Sequence, residues 1–190
     1  MKKKIALFGG SFNPIHKKHL DVIKEVIDSK KIDEIWILPC KNHSFNKKLI
    51  SEKDRINMIK FAVEGFKVNI CREELDFEGR SYAYETVIRL KKKFPSFEFY
   101  WIIGSDIFYE FDKWYKHEAL AKEIKFIVSL REGFPIKRTG EIRIFFTLEE
   151  KVNNISSTTV RECIKKGENI QDFVPLKVKK YIMKNGLYKN

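Results

Sequence analysis

Two histidines and a glycine pair lie close together near the amino terminus and could bind phosphate groups. The stretch 9–19 reads GGSFNPIHKKH and follows a short apolar run. Paired glycines let backbone N–H groups approach an anion, and a helix that begins after them directs its positive end to the same place. His16 and His19 stand three residues apart, so both imidazoles should lie on one face of the first helical turn and donate to phosphate oxygens. The spacing matches neither the Walker P-loop nor GxGxxG.

The two histidines could instead be buried core side chains, a metal-binding pair or chance neighbours within a loop. Zinc would need further His, Cys or carboxylate ligands, and the sequence contexts of His43 and His117 indicate no pairing with the first two. The position behind a glycine turn at a strand end favours phosphate binding.

A second polar cluster stands near the carboxyl end, where residues 155–161 read ISSTTVR. A helix N-cap, supported by the capping-box spacing of Thr159 and Glu162, would explain one hydroxyl. Four hydroxyls in a row, the free N–H groups of a helix start and the guanidinium of Arg161 together favour a polyphosphate site.

Apolar runs and helical patterns alternate along the chain and predict the elements that hold both clusters. We predict strands at 4–8, 35–38, 68–71, 97–103, 124–130 and 142–146, and helices at 20–27, 56–63, 82–92, 157–165 and 178–183. This alternation predicts an α/β fold, Rossmann-like and doubly wound, with a mostly parallel sheet and helices on both faces. Such sheets bind ligands at the carboxyl ends of their strands, so the loops after the first and fourth strands should form the site.

Length and composition indicate one folded domain. The chain has 190 residues, 43% of them hydrophobic and 14% aromatic, which argues against disorder. We expect a single domain over 1–190 whose C-terminal helical part, about 156–190, carries the ISSTTVR motif. No apolar run reaches the about 18 residues that cross a bilayer, and the run at 5–8 is too short for a signal peptide. We therefore expect a cytoplasmic protein that makes no membrane contact.

Charge and cysteine content leave the partner open. The net charge of +12 attracts polyanions in general, so it fits nucleic acid, nucleotide substrates and a mere Lys-rich composition equally well. The three cysteines, Cys40, Cys71 and Cys163, are an odd number and share no CxxC spacing, so we expect buried free thiols rather than disulfides or zinc.

Both polar clusters resemble the signatures of one superfamily. GSFNPIHKKH is similar to the GxFxPxHxxH signature of the nucleotidyltransferases with an HxGH motif, and ISSTTVR is similar to their ISSTxxR signature. More narrowly, the chain resembles the bacterial nicotinate mononucleotide adenylyltransferases through Ser81-Tyr82, IGSD at 103–106, Trp114 and the pattern of 174–188. The resemblance implies that the phosphate of nicotinate mononucleotide attacks the α-phosphorus of ATP and that pyrophosphate leaves, with no covalent enzyme intermediate. Such transfer needs chiefly positioning and charge neutralisation.

The resemblance also implies roles for individual residues. His16, His19 and Arg161 would be catalytic. The ATP site would further contain Gly9, Gly10, Ser11, Phe12, Gly104, Asp106, Ile155, Ser156, Ser157 and Thr158. The acceptor pocket would contain Ser81, Tyr82, Thr86 and Trp114, with Trp114 stacked on the pyridine ring. Mg²⁺ would be held mainly by phosphates and waters, without a dedicated protein metal site.

Some of these residues could have a purely structural role. Trp114 and Tyr82 could be ordinary packing aromatics, and Asp106 could cap a helix.

Three departures from the family pattern leave the acceptor open. Lys18 stands where the family has glycine between the histidines, and Ala83 replaces a hydroxyl that could hold the pyridine substituent. Residues 39–48 read PCKNHSFNKK in place of the usual Pro-x-His-Lys, so Lys47 or Lys48 is only a guess for a phosphate-binding lysine. Nicotinamide mononucleotide or another small phosphorylated acceptor is therefore the alternative substrate.

A different class of function also fits the charge: a non-catalytic, basic nucleotide- or RNA-binding module. Its aromatic residues would have to alternate with basic ones as a stacking platform, and they do not. We therefore expect ATP and a pyridine mononucleotide as partners and no nucleic acid, while a homo-oligomer is left open.

Overall fold

A parallel sheet forms the centre of the molecule. The computed structural model describes residues 2–41, 49–79, 81–136, 142–149 and 155–189. Within these ranges the strands are β1 (Lys3–Gly10), β2 (Glu34–Pro39), β3 (Val68–Ile70), β4 (Phe97–Gly104), β5 (Lys125–Ser129) and β6 (Ile144–Leu148). Their order in the sheet is β3-β2-β1-β4-β5-β6, and every neighbouring pair is parallel. This is the strand order of the Rossmann fold, so the predicted fold class is confirmed.

Helices cover both faces of the sheet. They are α1 (Lys17–Asp28), α2 (Glu52–Ala62), α3 (Ala83–Lys93), α4 (His117–Glu123), α5 (Ser157–Lys165) and α6 (Leu176–Lys184), and two short 3₁₀ helices span Ser105–Tyr109 and Phe111–Lys113. Alternate residues of β1 point to opposite faces, as the pleat of a strand requires. Ala6 and Phe8 belong to the core under α1, α2, α5 and α6, whereas Ile5 and Leu7 belong to the core under α3 and α4.

The predicted element positions agree with the structure except at some ends and in one region. Helix 157–165 has the predicted ends, while β6 begins and ends two residues later than predicted and α6 extends beyond 178–183 at both ends. Helix α4 was not predicted, because its seven residues are too few to establish a helical period. Ser156, not Thr159, caps α5: its hydroxyl accepts from the backbone N–H of Thr159 at 3.0 Å.

The cysteines and the helix lengths test two further expectations. All three thiols are free, but only Cys163 is buried, while Cys40 and Cys71 are partly exposed. None of the helices in the described ranges combines the length and apolarity that a bilayer crossing needs. The expectation of one domain over 1–190 stays a prediction.

Candidate active site

A cleft of about 270 Å³ opens at the carboxyl ends of β1, β4 and β5. It lies where the chain, having built β2 and β3 on one side of β1, continues with β4 on the other, which is where such sheets bind ligands. The cleft brings together nine of the residues predicted for the site: Gly9, His16, His19, Gly104, Asp106, Trp114, Ile155, Ser156 and Ser157. The two sequence clusters, about 140 residues apart, therefore meet in one place.

The two histidines form a stacked pair at the start of α1. His16 is the N-cap residue, and its ring lies 3.7 Å from the ring of His19 with an angle of 29° between the planes. The backbone N–H of His16 donates to Nδ1 of His19 at 3.2 Å. Because Nδ1 of neutral His19 then accepts, its proton is on Nε2, the atom available to a ligand. The ring of Phe12, 5.1 Å away and buried, supports His19 from behind.

Both histidines are neutral at physiological pH. Burial and the positive charges of Arg131 and Lys18 lower the pKa of His16 from 6.5 to about 3. Burial, His16 and Arg131 hold the pKa of His19 well below 6.5. Each neutral ring can therefore donate one N–H to an acceptor such as a phosphate oxygen.

Four long-range hydrogen bonds fix the loop between β1 and α1. Arg161 donates to the carbonyl of Asn13 at 2.8 Å, and the Ser157 hydroxyl donates to the carbonyl of Pro14 at 2.9 Å. Tyr188 donates to the side-chain oxygen of Asn13 at 2.9 Å, and the backbone N–H of Lys17 donates to the carbonyl of Phe173 at 2.8 Å. The C-terminal segment thus holds the histidine loop in position.

A buried arginine holds the same loop from the other side. Arg55 of α2 is only 2% exposed and donates to the carbonyls of Ser11 and Cys40, both at 2.8 Å. These carbonyls belong to the segments that follow β1 and β2. The Arg55 guanidinium therefore connects two of the loops at the ligand-binding edge of the sheet.

Two glycines of the cleft are required by close contacts. A methyl group at Gly9 would come 2.9 Å from the indole of Trp101. A methyl group at Gly104 would overlap the carboxylate of Asp106 and the guanidinium of Arg131. Those two side chains form an ion pair of 2.8 Å across the mouth of the cleft. Asp106 therefore pairs with Arg131 rather than capping the 3₁₀ helix, which has no side-chain cap.

The residues predicted for the acceptor pocket are only partly brought to the cleft. Trp114 lines it and contacts Trp101 edge to face at 6.5 Å. Thr86 is fully buried and donates to Glu74 at 3.3 Å, and the ring of Tyr82 packs on Tyr115 at 4.5 Å.

Burial raises the pKa of Glu74 to about 7, against the hydrogen bonds from Thr86 and Ser81 and the charge of Arg89. Ser81 and Thr86 thus bind this buried carboxyl group and hold the start of α3 rather than facing the cleft.

Other predicted residues lie around the cleft without lining it: Gly10, Ser11, Phe12, Thr158 and Arg161. Arg161 also donates to the Thr158 hydroxyl at 3.1 Å, so these two brace the start of α5. The guessed Lys47 and Lys48, together with His43, fall outside the described residues.

Sequence reasoning missed several residues that shape the site. Arg131 and Ser129 line the cleft, and Arg55, Glu74 and Tyr188 position its loops. Each acts on partners far away in the chain, which no local spacing indicates. Lys18, noted in the sequence only as a departure from the family pattern, also lines the cleft.

The donor set of the described residues bears on metal binding. Nucleotidyltransferases that use ATP generally need a divalent metal ion. In the ranges that the structure describes, no group of three or more His, Cys, Asp or Glu side chains could hold one. Asp106, which lines the cleft, already pairs with Arg131.

Comparison with known proteins identifies the family. Residues 7–163 match the cytidylyltransferase-like family. A relative from Staphylococcus epidermidis is 40% identical over 195 residues, covering 99% of this chain and 98% of its own length; one from Bacillus cytotoxicus is 36% identical and covers 99% and 100%. Both are named probable nicotinate-nucleotide adenylyltransferases. The chain belongs to this adenylyltransferase family.

Solved structures agree with this membership. The Plasmodium falciparum nicotinic acid mononucleotide adenylyltransferase in complex with APC superimposes with a TM-score of 0.86 at 25% identity, covering 98% of this chain and 97% of that one. The same enzyme in complex with NaAD gives a TM-score of 0.84 at 26% identity, with the same coverage. The resemblance drawn from the two sequence clusters is thereby confirmed.

Proposed function

We propose that this protein transfers the adenylyl group of ATP to nicotinate mononucleotide, giving nicotinate adenine dinucleotide and pyrophosphate. One observation carries the proposal: the histidine pair, the start of α5 and Trp114 line a single cleft in a chain that matches these adenylyltransferases over its whole length. The relatives' names supply the acceptor, and the cleft supplies chemistry that suits it.

The phosphates of ATP would bind between the starts of α1 and α5. The neutral rings of His16 and His19 would donate to phosphate oxygens. Their donors would act without rearrangement, because the rings stack on each other and His16 is buried. Ser156 and Ser157, at the start of α5, line the same cleft. Arg161 would act on this site through its hydrogen bonds to Asn13 and Thr158, and so as a positioning residue in the geometry observed.

The reaction needs one bond to form and one to break. An oxygen of the acceptor phosphate attacks the α-phosphorus, and the bond from that phosphorus to the oxygen bridging to the β-phosphorus breaks, so that the electron pair leaves with pyrophosphate. Holding both reactants in line supplies much of the rate, and donors near the leaving group stabilise its charge. A divalent ion, which we take to be Mg²⁺, would offset further phosphate charge.

The acceptor's pyridine ring would lie on Trp114. Its indole is fixed by Trp101 and by Phe111, whose ring lies 5.7 Å away. An aromatic face held in this way can stack on a heteroaromatic ring. Glu74 would help by fixing Ser81 and Thr86 and so the backbone that leads into α3.

Pyrophosphate release tests the proposal. Nicotinate mononucleotide and nicotinamide mononucleotide are supplied side by side with ATP and Mg²⁺ at one salt concentration. A strong preference for nicotinate mononucleotide supports the proposal, although Ala83 replaces a hydroxyl that could hold the pyridine substituent. Preference for the amide keeps the reaction and changes the acceptor, and silence with both, accompanied by salt-dependent RNA binding, would contradict it. The cytoplasmic location and the oligomeric state stay predictions.

A further inference from the structure

The charge balance of the cleft leaves a role for a lysine between the two histidines. ATP brings several negative charges into this cleft, where burial lowers the pKa of both His16 and His19. Among the described residues that line the cleft, the cationic side chains are those of Lys18 and Arg131. Arg131 forms an ion pair with Asp106 at 2.8 Å, whereas Lys18 stands in α1 between the two histidines.

The position of Lys18 directs its charge towards the phosphate region. It is the second residue of α1, at the helix end where free N–H groups and the helix dipole favour anions. Its side chain is half-buried and lines the cleft together with both histidines. The effect of its charge on the pKa of His16 places the two groups within electrostatic reach of each other.

An orphaned polar atom marks the same region as a place for a ligand. Nδ1 of His16 is buried and has no hydrogen-bond partner within the described part of the chain, on a residue that is only 6% exposed. Buried polar atoms are nearly always paired, so this atom, on a residue that lines the cleft, indicates a place where a bound ligand can pair with it.

We propose that Lys18 binds the polyphosphate of ATP and neutralises the charge that collects on the departing pyrophosphate. This proposal rests on the function proposed above. The lysine ammonium acts as a point charge with three donors, while the histidines fix the direction of the phosphate oxygens. A half-buried charge-assisted contact of this kind corresponds to roughly a tenfold effect on kcat/KM.

Three variants test the proposal, and the chain offers a matched control. Lys18→Met removes the charge and keeps much of the side-chain length, Lys18→Arg keeps the charge, and Lys17→Met removes the neighbouring charge, which does not line the cleft. Thermal unfolding of all three checks that each is folded.

We expect Lys18→Met to lower kcat/KM for ATP about tenfold, Lys18→Arg to retain most of it, and Lys17→Met to behave as the parent protein. Raising the salt concentration should lower kcat/KM for ATP more in the parent protein than in Lys18→Met, because salt screens the charge interaction that the variant lacks. Equal behaviour of Lys18→Met and Lys17→Met would overturn the proposal. A change confined to the KM of the pyridine nucleotide would overturn the assignment to ATP.

Failure of the proposed function is distinguishable from failure of this inference. If the parent protein releases no pyrophosphate with either pyridine nucleotide, the proposed function fails, and calorimetric binding of ATP then decides the role of Lys18. Weaker ATP binding by Lys18→Met than by Lys17→Met would support the role, and equal binding, or no ATP binding by the parent protein, would overturn it.

Discussion

Lowering the pH from 7 to 5 should destabilise the folded protein through His16. The pKa of this side chain is about 3 in the folded protein, against 6.5 in the absence of burial. Between these values the unfolded chain binds a proton that the folded chain does not bind. The stability that the neutral His16 side chain contributes is therefore complete above pH 6.5 and is lost as the pH falls towards 3. Linkage gives a loss of about 2 kcal/mol between pH 7 and 5, and His19 changes stability in the same direction.

Urea unfolding at the two pH values measures this loss. The variant His16→Asn has no titrating side chain at this position. Between pH 7 and 5 the free energy of unfolding of the parent protein should therefore fall by about 2 kcal/mol more than that of the variant. Titrating groups away from the histidine pair act in both proteins and cancel in the comparison. Because His16 also lowers the pKa of His19, the variant loses part of the pH dependence that His19 contributes as well, which adds to the expected difference. Equal losses in the parent protein and the variant would refute the neutral state assigned to His16.

Three further perturbations test the surroundings of the site. Glu74 should have the opposite pH effect to His16, because its pKa is raised to about 7 in the folded protein. Protonated Glu74 stabilises the parent protein near pH 5, and about 2 kcal/mol of this stability is lost by pH 7; urea unfolding of Glu74→Gln should not show that loss. Arg55→Met leaves the carbonyls of two loops without their buried donor, and we expect the free energy of unfolding to fall by about 3 kcal/mol and the KM for ATP to rise. Gly104→Ala should displace the side chains of Asp106 and Arg131 and weaken ATP binding in calorimetry, with little change in the thermal midpoint.

The parts of the fold that could be predicted from the sequence depend on local patterns. Apolar runs and helical periods place the strands and the helices other than α4 and the two 3₁₀ helices within a few residues, and their alternation determines a parallel doubly wound sheet. The histidine pair could be predicted for the same reason, because a spacing of three residues at a helix start brings His16 and His19 together whatever the rest of the chain does.

The parts that could not be predicted depend on contacts between distant residues. Tyr188 and Asn13 are 175 residues apart, and Arg55 and Ser11 are 44 apart, so no local pattern indicates either pair. Thr86 is a residue that the motif placed in the acceptor pocket and that packing placed elsewhere. Its hydroxyl donates instead to the buried Glu74, twelve residues away. Motifs indicate which segments form a site, whereas packing decides which side chains face the ligand.

The phosphates of ATP should bind at the histidine pair while the acceptor attacks the α-phosphorus. The most direct measurement follows ATP labelled at the α-phosphorus, with nicotinate mononucleotide as acceptor, in the parent protein and in folded His19→Ala. We predict that the label enters nicotinate adenine dinucleotide and that the variant's kcat falls by roughly 10²–10³-fold, as for loss of one oxyanion donor. Label recovered in free AMP, or full activity in the variant, would rule out this arrangement of ATP and acceptor.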